Sequence, residues 1–300
     1  MGNNLDILII GSNGQLASEF RYISKAEQNY HRFTFSSKNN LDISNQKDVE
    51  GFFRANNFDI VINCSAYNAV DKAETDEKTA MSVNHIGVRN LAKMAKYYRH
   101  KLVHISTDYV FDGLSNTASY DEDAQPNPKS VYGKSKLYGE NSILEIKPKS
   151  MIIRTSWLFS EFGENFVKKI LILGKEKEQI SVIDDQVGSP TYARDLAQHI
   201  YKIITSKSTF NMISDPQIFH YSNKGSTSWY GFAKEILKLA EIDCIVNPID
   251  SLSYNQAAPR PKHSLLDCKK IEDKFAIHIP SWQESLKCLI SSVSTSEEVI

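Results

Sequence analysis

"ILIIGSNGQLASEF", Ile7 to Phe20, sets an unbroken aliphatic run against a glycine-punctuated turn and then a helical pattern. Asp6–Ile10 reads as a buried strand, and Gly11, Gly14 and Ala17 stand at the turn from that strand into the first helix. Without side chains, Gly11 and Gly14 let the backbone turn tightly and let a pyrophosphate approach the positive helix N-terminus, while Ala17 allows close packing of helix on strand. The spacing is GxxGxxA rather than GxGxxG, and a plain tight turn uses the same residues. Its place after the first strand of an α/β chain favours a dinucleotide site, with Asn13, Gln15 and Leu16 as further cofactor candidates in the same turn.

Outward from this unit the same rhythm repeats. Arg32–Ser36, Ile60–Ala66, Leu102–Ser106 and Met151–Thr155 read as further buried strands, and Ala80, Val83, Gly87, Leu91 and Met94 recur at helical spacing between two of them. That alternation predicts an α/β fold, a Rossmann-like doubly wound parallel sheet. After Trp157 the rhythm changes. "FSEFGENF" and "IDDQVGSPTY" read as long loops around a helical stretch, Asn165–Lys175. "YARDLAQHIYKIIT" then reads as a sheet-covering helix, "IFHYSN" as a strand and "SWYGFAKEILKLA" as another helix. The expected organisation is an NAD(P)-binding unit of residues 1–157 plus about 191–222, and a smaller, discontinuous C-terminal substrate unit of about 158–190 plus 223–290. Residues 291–300, rich in serine, are expected to fray.

The bulk properties narrow the class. At 300 residues the chain exceeds one ordinary core and has room for a small-molecule cleft. With 35 basic against 36 acidic residues and no basic block, a nucleic-acid partner is not expected. No signal-peptide pattern or membrane-length apolar run is present, which predicts a soluble cytoplasmic protein with no membrane partner. Four cysteines without a CxxC pair fit reduced thiols, and eight scattered histidines without HExxH leave no dedicated metal site.

Three further stretches carry chemistry. "FTFSSKNN" ends the second strand without the acid that selects NAD, so Ser36, Ser37 and Lys38 either receive the 2′-phosphate of NADPH or form a polar loop. Asp42 and Ile43 of "LDIS" follow, and Ser65, Ala66, Tyr67 and Asn68 follow the third strand, where the adenine and the nicotinamide-side ribose would pass. "LVHISTDYVFDG" places Ser106, Thr107 and Asp108 at the carboxyl edge of the sheet, where hydroxyls can hold a substrate carbonyl or simply cap a turn. "VYGKSK" puts Tyr132 and Lys136 at i and i+4 on one helix face. A free phenol ionises near ~10, and nearby positive charge would favour the phenolate and ease proton transfer. The spacing alone also describes a surface pair; the ordered set of glycine turn, STD and YxxxK makes it specific.

That ordered set resembles the extended short-chain dehydrogenase/reductase family. Within it, "NCSAYNAVDKAE", "ISTDYVFDG", "VYGKSKLYGE", "IRTSWLFSEFGENF", "DDQVGSPTYARDLA" and "RPKHSLLD" are similar to the dTDP-4-dehydrorhamnose reductases, over nearly the whole chain. The resemblance implies reduction of the 4-keto group of a dTDP-linked deoxyhexose by NADPH or NADH, NADPH being favoured by the missing acid. It implies Tyr132 as proton donor, Lys136 as ribose holder, Thr107 on the carbonyl with Asp108 beside it, and Trp157 and Asn165 toward the substrate. Trp157 is otherwise a core residue at a domain junction, and Arg260 either grips the diphosphate or forms an inter-domain salt bridge. Some relatives dimerise around magnesium held by carboxylates; here Glu19 has the matching place but Arg194 falls where a partner acid is expected, so a monomer or a metal-free homodimer is implied. Another nucleotide-linked 4-keto-deoxyhexose as substrate, or a non-catalytic NADP-binding regulatory subunit, are the competing readings.

Overall fold

The computed structural model describes residues 4–27, 30–114, 119–206, 213–254 and 256–294. Five strands, β1 (Asp6–Ile10), β2 (Arg32–Ser36), β3 (Ile60–Asn63), β4 (Lys101–Thr107) and β5 (Ser150–Thr155), and a sixth, Gln217–His220, form one sheet. Every pairing is parallel, and the order across the sheet is Gln217–His220, β5, β4, β3, β1, β2. β1 and β3 are apolar on both faces because both faces are covered, whereas the edge strand β2, expected to be buried, alternates polar with apolar residues and is only partly so. Ile7 and Ile9 pack under helix α1 (Gln15–Glu27) and the helix Ala193–Thr205, while Leu8 and Ile10 pack under Val49, Phe53, Leu91 and Ile143 on the other side. Ile7, Leu8 and Ile9 are fully buried, each stabilising the fold by about 1.5–3 kcal/mol. The chain leaves β1 toward β2 on one side and returns to β3 on the other, so the carboxyl ends of β1 and β3 flank a crevice of the kind in which open α/β sheets bind ligands.

Three expectations need correction. The third strand ends at Asn63, not Ala66: the Asn63 side-chain oxygen takes the Ser65 N–H (3.1 Å) and hydroxyl (2.6 Å), a local turn that wins over the ladder. The segments read as long loops carry short strands, Leu158–Phe159 pairing with Thr191–Tyr192 and Val187–Gly188 with Thr227–Ser228, and a further parallel pair not foreseen joins Gln179–Ile183 to Ile245–Ile249. Residues 291–294 do not fray but finish the helix Trp282–Ser294, whose Leu286, Leu289, Ile290 and Val293 are buried; residues 295–300 lie outside the described set. That helix, with Phe166–Glu176 and Trp229–Leu239, encloses a second apolar cluster around Phe159, Ile180 and Phe232, separate from those against the large sheet. Among the described residues no helix is long and apolar enough to cross a membrane.

Candidate active site

Tyr132 and Lys136 lie on the helix Val131–Ile146, capped by Ser130, whose hydroxyl accepts the Gly133 N–H at 3.1 Å. Glycine directly after the tyrosine has a cause: a Cβ at Gly133 would sit 2.2 Å from the Tyr109 carbonyl, so only glycine lets the helix start this close to the end of β4. The approach brings Tyr132 beside Thr107 in one cavity and lets Lys136 Nζ donate to the Ile105 carbonyl at 2.6 Å. Thr107 donates to Asp108 Oδ1 (3.2 Å) and accepts the Tyr109 N–H (3.2 Å).

Burial governs the electrostatics. It pushes Tyr132 up to about 12, against the Thr107 hydrogen bond and with the charge of Asp108, so the phenol stays protonated. The expected help from Lys136 and an oxidised nicotinamide belongs to the site with its cofactor bound; in the chain alone burial sets the direction. Lys136 is drawn down to about 8 by burial, opposed by Glu140 and Cys64, and Asp108 is raised to about 6, mainly by burial. The second carboxylate oxygen of Asp108 is buried without a hydrogen-bond partner.

These groups face the glycine turn across one cavity of about 280 Å³. Gly14, Gln15 and Leu16 line one side, Ala66 and Asn68 a second, and Ser106, Thr107, Asp108, Tyr132, Lys136 and Trp157 the rest. The cavity edge fits a dinucleotide. Gly11 has φ +85°, and a Cβ there would lie 2.7 Å from the Ser65 Cα and N, so the first turn and the end of β3 meet backbone to backbone. The Gly11 and Ser12 amides both donate to the Ser36 carbonyl (2.9 and 3.1 Å), which leaves the buried Ser36 hydroxyl beside the turn without a partner.

Other predicted residues are held elsewhere. Asp42 bonds Ser44 and sits 3.9 Å from exposed Lys38, the Ile43 carbonyl accepts from Asn90, and Tyr67 bonds Asp76 through its hydroxyl and Asn84 through its backbone. Asn13 accepts only a long bond from the Ser12 hydroxyl (3.4 Å). Asn165 caps the helix Phe166–Glu176 and donates to Gln15 (3.1 Å), which ties the second cluster to the glycine turn. Glu19 is buried, raised to about 7 chiefly by burial, and bonded by Ser160 (2.6 Å) and Arg194 (2.9 Å), whose guanidinium also reaches Glu161 (3.2 Å).

Trp157 takes a left-handed backbone, φ +47°, and its indole lies flat on Trp229, with ring centroids 3.6 Å apart and planes 8° from parallel. Trp229, with Phe166, Ile170, Val182, Tyr254 and Arg260, lines a second cavity of about 650 Å³, so the indole pair stands where the two cavities adjoin. Arg260 lines that cavity while its guanidinium forks onto Asp71 at 2.6 and 3.0 Å, the salt bridge that was the alternative. Sequence reasoning missed Trp229, Asn84 and Glu140. Glu140 had a signal, since it continues the i, i+4 series of Tyr132 and Lys136, and Asn84, inside a π-helical turn at Ser82–Gly87, had none.

A buried phenol kept as an acid, an ammonium one turn away and a glycine turn facing both are the working parts of a short-chain dehydrogenase/reductase, and fold and site define that class. Comparison with known proteins narrows it: the model of the RmlD substrate binding domain matches residues 5–295, and the chain belongs to that family. It is 37% identical over 287 residues to a dTDP-4-dehydrorhamnose reductase of Aggregatibacter actinomycetemcomitans, covering 94% of this chain and 97% of the relative. The crystal structure of dTDP-4-dehydrorhamnose reductase from Bacillus anthracis in complex with NADP superposes with a TM-score of 0.90 at 37% identity, covering 97% of this chain and 100% of that one. The corresponding enzyme structure from Clostridium acetobutylicum gives 0.90 at 40% identity, over 96% and 99%.

Proposed function

We propose that this chain reduces the 4-keto group of dTDP-4-dehydro-L-rhamnose to give dTDP-L-rhamnose, with NADPH as the favoured reductant. The observation that carries the proposal is Tyr132, buried beside Thr107 and Lys136 in a cavity shared with the glycine turn; the names of the relatives supply the sugar. NADPH supplies the hydride when bound, and Gly11, Gly14, Gln15 and Leu16 would hold its pyrophosphate. Thr107 orients the carbonyl, and Tyr132 gives its proton to the oxygen as carbon 4 is reduced. Lys136, as an ammonium, stabilises the phenolate left behind until the proton is replaced. Asp108, with one oxygen unpartnered, accepts a hydrogen bond from a sugar hydroxyl. The larger cavity beside Trp229 takes the nucleotide, so that residues 1–157 with about 191–222 serve the cofactor and about 158–190 with 223–290 serve the substrate. A cytoplasmic location belongs to the same proposal, in keeping with four free cysteines and a reduced nicotinamide pool.

The test follows NADPH absorbance with dTDP-4-dehydro-L-rhamnose, with NADH and with UDP- and GDP-linked keto sugars in parallel. Tyr132→Phe is expected to lower kcat by about 10²–10⁴-fold with NADPH binding retained. Normal turnover in that variant refutes the mechanism, and cofactor binding without oxidation in the unaltered protein favours a regulatory subunit.

A further inference from the structure

The helix that carries Tyr132 and Lys136 meets three successive residues of β4. Tyr132 stands beside Thr107 in the cavity, Lys136 donates to the Ile105 carbonyl (2.6 Å), and Glu140, one turn further on, accepts the Ser106 hydroxyl proton on Oε1 at 2.5 Å. Glu140 is wholly buried and is met by the Arg154 guanidinium of β5, with Nε shared between Oε1 (3.0 Å) and Oε2 (3.2 Å) and Nη2 donating to Oε2 at 2.7 Å. A buried carboxylate is tolerated only with such partners, because an uncompensated charge there is strongly destabilising. The pair alone would explain structure. Its placement does more, since the same carboxylate is fixed to the residue between the two that Lys136 and Tyr132 meet.

We propose that Glu140 is a positioning residue for the reduction: it clamps Ser106 at the end of β4 from one turn beyond Lys136 on the helix that carries Tyr132, so that the placing of Thr107, Tyr132 and Lys136 depends on it. This rests on the mechanism proposed above. The groups facing Lys136 are Cys64 after β3, His104 on β4 and, on its own helix, Tyr132 and Glu140; of these Glu140 is the carboxylate that raises Lys136. Facing Glu140 are Ser106, Arg154 and, beyond Arg154 at 3.4 Å, His220, which burial and Arg154 hold neutral and whose amide donates to Glu122.

The test is Glu140→Gln, which keeps the shape and removes the charge. With Lys136 near about 8, the alkaline limb of kcat reports loss of its proton. Removing a nearby opposite charge moves that limb down by about one pH unit. At the wild-type limb the protonated fraction then falls from about a half to about a tenth, a loss of about fivefold in kcat with KM little changed. Glu140→Asp, which keeps the charge, returns the limb toward its wild-type position. Should Glu140→Gln fail to fold, Glu140→Gln/Arg154→Met removes both buried charges, and the limb still falls, by less. A limb that stays at the wild-type pH in whichever variant is soluble overturns the proposal, as does lost stability with an unchanged profile. Tyr132→Phe separates the two claims: if that variant turns over normally the mechanism fails, whereas its inactivity with an unmoved Glu140→Gln limb refutes Glu140 alone.

Discussion

Two glycine-to-alanine changes should move stability in opposite directions. Gly11→Ala places a methyl group 2.7 Å from the Ser65 Cα and N and 3.0 Å from the Cys64 carbonyl carbon, all backbone atoms with no rotamer to escape into. It also forces an L residue into φ +85°, worth about 1–2 kcal/mol, and the overpacking adds about 1–3 kcal/mol. At roughly 2–4 °C per kcal/mol for a chain of this size, the combined cost of about 2–5 kcal/mol should lower the midpoint by about 4–20 °C. Gly51 is exposed in the middle of the helix Gln46–Ala55 with nothing within 4 Å of its built Cβ, so Gly51→Ala should gain about 0.5–1 kcal/mol. Thermal unfolding by circular dichroism, with and without saturating NADPH, reads both. The stabilisation by NADPH should persist in Gly51→Ala and shrink in Gly11→Ala, because its methyl group pushes apart the backbones that cradle the pyrophosphate. A Gly11→Ala protein that melts with the wild type and gains as much from NADPH refutes the argument about the crevice.

Acid should weaken the fold partly through His100. Burial lowers it from 6.5 to about 4, so the folded state refuses a proton that the unfolded state accepts. Its contribution is complete above 6.5 and is lost as pH falls toward about 4, at roughly 1.4 kcal/mol per pH unit. His100→Phe, which preserves the stack on Phe53 at 5.0 Å, should flatten urea-unfolding free energies across that window; an equally steep decline would assign the loss to other groups. Asp71→Asn should cost stability only modestly, about 1 kcal/mol or less, since Asp71 is half exposed. It should raise KM for the sugar nucleotide by about tenfold, worth ~1.4 kcal/mol, with kcat nearly constant, because Asp71 also holds the Ala258 amide (3.0 Å) and so fixes the segment that carries Arg260 beside the larger cavity. Unchanged KM would leave that ion pair without a part in binding.

Where local pattern and tertiary demand coincide, the sequence is explicit. β1 falls on the predicted residues because a strand covered on both faces needs an unbroken apolar run, and the glycine turn is readable because backbone-to-backbone contact admits no other residue. The YxxxK pair was legible from spacing, but the burial that raises Tyr132 was not, because burial is a property of the assembled fold. Arg260 has the chemistry to hold a phosphate, and nothing in its neighbourhood along the chain reveals that Asp71, folded against it from the other end of the sequence, is bonded to it. The strand pair Gln179–Ile183 and Ile245–Ile249 was hidden for the same reason, since parallel partners far apart in sequence leave only short, half-exposed runs with a proline inside one of them.

The stacked indoles of Trp157 and Trp229 also make the protein its own optical gauge. Chromophores that lie nearly parallel at 3.6 Å share their excitation, so the resting enzyme should show a split ultraviolet dichroism band and quenched emission. The remaining tryptophan, Trp282, is edge-on to Phe232 in the second cluster and supplies an unsplit background. Any ligand that prises the pair apart will announce itself by the collapse of that couplet, without label or turnover.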